Sequence, residues 1–240
     1  MPFSRPSLRQ LLNLLCYLYL VLLLFPQTVF PNKLAYKNFV IYYAGERNTK
    51  QIEKVINQSL FLLTRSELFD QNHKQKVFLC SSTLKFLLFS GPNNKALALN
   101  HPITQNIFVQ KASVSQNRIL RHKEGENPRT LSSIIVHETT HSLIDNHLGV
   151  LKSRFVLPKW KSEGYSEFIA NESTYDNIQG FKKLCENQQD EKSQSYKYFL
   201  YRYITQQLFV KESLSFDTFS KRGYDLDSLV LALKKSKCKK

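Results

Sequence analysis

The pentapeptide His137-Glu138-Thr139-Thr140-His141 constrains this chain more than any other stretch. Two imidazoles four residues apart share a face, one turn from each other, only if the backbone there is an α-helix. In that arrangement both rings can bind one Zn²⁺, and Glu138 falls on a neighbouring face, within reach of a metal-bound water rather than of the metal. The ion lowers the pKa of such a water toward about 7, and a carboxylate so placed can take its proton as it attacks a carbonyl. Chance is a weak explanation. With six histidines in 240 residues, a chain of this composition is expected to contain the pattern roughly 0.007 times. A structural histidine pair on a helix is the competing reading, so a third ligand decides.

The rest of the chain is long enough for one domain with a sizeable core. Residues 38–45 are β-branched and aromatic and stop at a glycine, which predicts a strand; Lys50 to Phe69 carries apolar residues at three- and four-residue steps, which predicts a helix. Short strands are expected at Val77–Cys80, Ala96–Leu99 and Ile107–Gln110, with a short helix over Thr83–Phe89 stopped by Gly91-Pro92. Residues 113–128 read as a loop. Asn127-Pro128 then supplies a helix start, asparagine as cap and proline at the first helical position. Helices are expected over 160–172, 175–188, 195–212 and 225–235. A strand-rich lobe (31–128) and a helical lobe (129–240) should share one α+β core.

The N-terminus has the layout of an export signal. Arg5 and Arg9 precede an apolar run from Leu11 to Phe25, and no small-residue cleavage site follows. Gln10 to Phe30 spans 21 residues, about what a helix needs to cross a bilayer. These features predict residues 1–30 as a retained membrane anchor, with the N-terminus inside and the domain on the extracytoplasmic side, or a secreted domain if the segment is cleaved. The formal charge of +15 fits a generally basic surface; it locates no patch, and no nucleic-acid motif accompanies it, so no nucleic-acid partner is expected. The lysine-rich end, including Lys239 and Lys240, reads as a solvated tail. Cys16, Cys80, Cys185 and Cys238 form no CxxC pair, which argues against a cysteine metal site. They leave room for one bridge, for example Cys80 with Cys185, without fixing which.

Two places can supply the third ligand. His147 falls at the last histidine of the metzincin pattern HExxHxxGxxH, but Ile144 stands where that pattern needs glycine, and the only methionine is Met1, so no methionine turn exists. The better candidate lies in Trp160-Lys161-Ser162-Glu163-Gly164-Tyr165-Ser166-Glu167-Phe168. This stretch resembles the W-x-x-E-G-x-A-E-[YF] signature of gluzincin zinc metallopeptidases of the peptidase-MA-like type. The resemblance covers about residues 38–210, rests on the two helical motifs, and implies a zincin-like fold with Glu163 as third ligand. It also implies that Glu167, one turn further on, hydrogen-bonds a ligand histidine, His137 or His141. Such an enzyme needs a group for the oxyanion, for which Tyr196, Tyr198, Tyr201 and Tyr203 are candidates, Tyr198 fitting best by position; Trp160 and Phe168 read as packing.

The leading expectation is therefore a zinc metallopeptidase with one Zn²⁺ per chain, held by His137, His141 and Glu163, with Glu138 as general base and a peptide or protein as substrate. The G-x-M-E-N strand of the aminopeptidases is missing, and Ile107–Gln110 as an edge strand pairing with an extended peptide suits an endopeptidase. The alternatives are a non-catalytic, zinc-stabilised binding protein of the same fold, and a membrane-anchored binding module without metal. Oligomeric state is not legible.

Overall fold

The computed structural model describes residues 7–91, 96–121, 127–188, 190 and 192–238. Arg5, Pro92, the stretch 122–126 of the expected loop, Lys239 and Lys240 lie outside them.

A five-stranded mixed sheet runs in the order β1-β2-β3-β5-β4, made of Asn32–Tyr36 (β1), Phe39–Tyr43 (β2), Gln75–Leu79 (β3), Ala98–Asn100 (β4) and Ile107–Val109 (β5). β2, β3 and β5 are parallel neighbours, and β1 and β4 close the sheet antiparallel. The three central strands are apolar at nearly every position because both faces of the sheet are covered. Phe39, Ile41, Val77, Leu79, Ile107 and Val109 point into the main core. Tyr42, Phe78 and Phe108 point the other way, stacked at 4.7 and 5.0 Å between ring centroids, and Phe89 of helix α3 (Thr83–Ser90) stacks on Phe108 at 4.4 Å. Ile107–Val109 is thus an interior strand, not the expected edge. β4 is the edge instead, because the chain doubles back after β3 and lays β4 outside β5.

The second face also corrects the membrane anchor. Helix α1 is Leu8–Leu24, 17 residues, capped by Ser7 with Gln10. At 1.5 Å per residue it is about 25 Å long, short of the roughly 30 Å hydrocarbon core. The remainder of the expected span has another role: Pro26 opens a 3-10 turn to Val29, and Pro26 and Phe30 are buried, Phe30 lying 5.1 Å from Phe78. Among the described residues no helix is long and apolar enough to cross a membrane, so neither a single-pass anchor nor the orientation derived from it stands.

The main core is organised by α2 (Thr49–Leu63) and α4 (Leu131–Leu148). From Leu131 to Asp145 every residue of α4 is buried except Glu138. Its start is Thr130, whose hydroxyl accepts from the Ser133 N–H, and not Asn127-Pro128. Glu172 decides this by accepting from the Thr130 backbone N–H at 2.8 Å and its hydroxyl at 2.7 Å, which fixes Thr130 as the cap. Beyond the unpredicted helix α5 (Val150–Phe155), α6 (Lys159–Ala170) returns antiparallel to α4. It is crossed by α8 (Gln194–Glu212) at Gly164, where an added Cβ would stand 2.4 Å from Thr205 Oγ1 and 2.8 Å from the Tyr201 carbonyl. The glycine of the motif is a packing requirement. The described part of 113–128 also carries a small hairpin, β6 (Ala112–Ser113) with β7 (Arg118–Ile119), and β1 and α9 (Phe216–Lys221) were not anticipated either.

Helix α7 (Asn177–Cys185) and α10 (Leu226–Lys237) are joined by a Cys185–Cys238 disulfide. The pairing of Cys80 with Cys185 fails because Cys80 is buried with the aromatic stack on the far side of the sheet.

Gly164→Ala is expected to destabilise the fold by about 1–3 kcal/mol through overpacking against α8, measured by urea denaturation. Reduction of Cys185–Cys238, which closes a separation of 53 residues, should cost about 2–4 kcal/mol in the same assay.

Candidate metal centre

Each ring of the pentapeptide presents Nε2 to the same point. His137 Nε2 and His141 Nε2 are 3.2 Å apart, as the shared helical face requires. Glu163 projects from the facing side of α6, with Oε2 at 3.3 Å from His137 Nε2 and 3.6 Å from His141 Nε2. The fit to zinc can be tested on these distances alone. Donors at two corners of a tetrahedron with metal bonds of about 2.05 Å lie about 3.3 Å apart, so all three edges match a tetrahedral site with one corner left for another ligand. Two imidazoles and a carboxylate are also a donor set typical of catalytic zinc.

The other nitrogen of each ring faces a partner that leaves Nε2 as the donor atom. Glu167 Oε1 stands 3.0 Å from His137 Nδ1, close but off the line of the N–H, so the contact is chiefly electrostatic. His141 Nδ1 lies 3.1 Å from the Ser162 hydroxyl and 3.4 Å from that of Ser166. Glu167 is in turn held by Arg129, whose Nη1 donates to both carboxylate oxygens at 2.9 and 3.1 Å, with both side chains almost fully buried. Arg129 Nε donates to Ser133 and lies 3.7 Å from Glu172, so the support runs back to the cap of α4.

Electrostatics follow from this crowding. Burial opposes the His137 imidazolium, but the contacts with Glu163 and Glu167 outweigh it and hold the group at about 10. Burial likewise works to raise Glu163 and Glu167; His137 and His141 pull Glu163 well below the usual carboxylate range, and Arg129 with His137 lowers Glu167. A metal binding at these atoms would have to displace a proton held between imidazole and carboxylate.

Glu138 is half-exposed, and its carboxylate makes no hydrogen bond or ion pair with any described residue. Its backbone carbonyl accepts from Asn100 Nδ2 at 2.9 Å, and the same nitrogen donates to Ser142 at 2.7 Å, which docks edge strand β4 on α4. Tyr198 is the one expected tyrosine whose ring lies against the centre, 6.5 Å from the His137 ring. Burial first, and then the Glu163 carboxylate, push its phenol up, while Gln194 donates to its oxygen at 2.7 Å. Tyr201 stands beside it at 6.3 Å, whereas Tyr196 and Tyr203 pack on Phe199 away from the centre. His147 is turned outward to Asp217, at 2.6 Å, and Trp160 and Phe168 pack against aromatic rings.

Arg129, Ser162 and Ser166 were not foreseen as site residues. The serines could have been found, since positions 162 and 166 share a helix face next to that of Glu163 and Glu167; Arg129 precedes its helix and carries no pattern.

No family model matches this chain, and no curated protein matches it.

Glu167→Gln and Arg129→Met are each expected to weaken zinc binding about 10- to 100-fold, read by competition with a chromophoric chelator. Glu172→Gln, whose contact with Arg129 is longer, should cost less than tenfold.

Proposed function

We propose that this protein is a zinc-dependent peptidase acting on peptides or unfolded proteins. The observation that carries the reading is the convergence of His137 Nε2, His141 Nε2 and Glu163 Oε2 at separations of 3.2, 3.3 and 3.6 Å. Zinc bound by these three residues would supply a Lewis acid and bring the pKa of water in its remaining position toward about 7.

The chain's own groups would do the rest. Glu138, the one residue between Leu131 and Asp145 of α4 that is not buried, accepts the proton of the attacking water and returns it to the leaving amine. Tyr198 stays a neutral phenol; its oxygen accepts from Gln194, and its O–H, which faces the Glu163 carboxylate, would turn to donate to the carbonyl oxygen as that oxygen gains negative charge. Glu167, Ser162 and Ser166 hold the histidine rings in orientation. Internal cleavage is favoured over release of terminal residues. β4 is a sheet edge tied to α4 beside Glu138, an extended peptide can add to such an edge, and the sequence has no motif for a free N-terminus.

The test is zinc content together with cleavage of casein by the full chain. One zinc per chain is expected, lost in Glu163→Ala. Glu138→Gln should keep the metal and lose at least about 100-fold in rate, and Tyr198→Phe should lower kcat about 10- to 100-fold with little change in KM. Zinc bound without cleavage, in a domain that unfolds when a ligand is removed, would instead mark a structural site in a binding protein.

A further inference from the structure

Lys161 occupies the same helix as Glu163 but faces away from it, since two residues rotate the side chain by about 200° around the axis. Only 3% of it is exposed. Its ammonium donates to the carbonyls of Ser220 at 3.1 Å and Arg222 at 2.7 Å, and no carboxylate of the described residues stands within ion-pair distance. Rings of Trp160, Phe219 and Tyr224 surround it at 5.8, 5.6 and 5.2 Å. Carbonyls and ring faces soften the cost of burying that charge, but its third N–H and its net charge are left without an anion.

Lys161 also forms part of the wall of a cavity of about 460 Å³, within the size range of small-molecule sites. Lys152 of α5, Lys221 at the end of α9 and Arg222 just after it add positive charge to the wall, and among the described residues no acidic one lines it. Lys221 and Arg222 have their own partners outside, Asp217 at 3.8 Å and Glu212 at 3.4 Å. Lys152 has no ion pair within the described residues. Trp160 and Tyr224, with ring centroids 6.0 Å apart, supply flat apolar surface next to this charge.

We propose that this cavity binds a small organic anion, its carboxylate or phosphate group on Lys161 and its flat apolar body against Trp160 and Tyr224. The site lies behind α6 from the three converging donor atoms, shares no residue with them, and stands whether or not the protein is a peptidase.

Trp160 is the only tryptophan in the chain, so its emission reports on this wall and no other. The full chain would be titrated with phenylacetate, phenyl phosphate and the neutral phenylacetamide, with excitation where the phenyl group does not absorb. Saturable emission changes are expected with one or both anions, the tighter one naming the head group, and at least tenfold weaker binding of the amide. Lys161→Gln should abolish the response. Should that variant fail to fold by circular dichroism, Lys152→Gln, at an exposed position, should still weaken the anion at least threefold. Equal binding of anion and amide, no saturation with either anion, or an affinity unchanged in the folded lysine variants would overturn the assignment.

Discussion

The fold depends on how one helix, buried along most of its length, disposes of its polar face. Ser133, His137, Thr140, His141 and Asp145 all lie on α4 inside the domain. Buried polar groups left without partners cost a few kcal/mol each, and unpaired charges more. The antiparallel α6 answers the middle of that face with Glu163, Ser162, Ser166 and Glu167, and Arg129 and Glu172 answer its N-terminal end. Asp145 is closed off by Ser153 and by Arg154 at 2.6 Å. Between Leu131 and Asp145 only Glu138 is left open, so the contacts that hold the helix in place are also those that orient the three converging donors.

That dependence explains why the surroundings are tight. α6 can face α4 in this register only because α8 braces it from behind, and the approach at Gly164 leaves no room for a methyl group. The sheet presses on the other side of α4 through β4 and Asn100, which places an open strand edge next to Glu138. The aromatic layer of Tyr42, Phe78, Phe108 and Phe89 lies beyond the sheet, together with the end of the N-terminal segment, and takes no part in the centre. A residue's distance from α4 therefore predicts what its loss would disturb: the geometry of the three converging donors near the helix, stability alone beyond the sheet.

Much of this was legible because it is periodic. The four-residue spacing of the histidines, of Glu163 and Glu167, and of the apolar residues in α2 specifies helices and faces directly. The alternation across β2, β3 and β5 was visible as apolar runs, although not which strand would be interior, since sheet order depends on where the chain doubles back. The start of α4 was misplaced by the local Asn-Pro signal because Glu172, 42 residues away, outbids it. The N-terminal run misled for a similar reason. Hydropathy does not distinguish Phe30 packed on Phe78 from Phe30 in lipid.

The sequence by itself determined the two helical motifs, the donor types that converge from them, and the α+β arrangement of strands before helices, because each follows from spacing along a few turns of chain. Only the tertiary structure decided that Arg129 anchors Glu167, that Tyr198 rather than its neighbours faces His137, that β4 is the edge, and that Lys161 is buried in a basic cavity without a carboxylate. These are relations between elements distant in sequence. They are fixed by packing and by the cost of burying unpaired polar groups, quantities that no local pattern encodes.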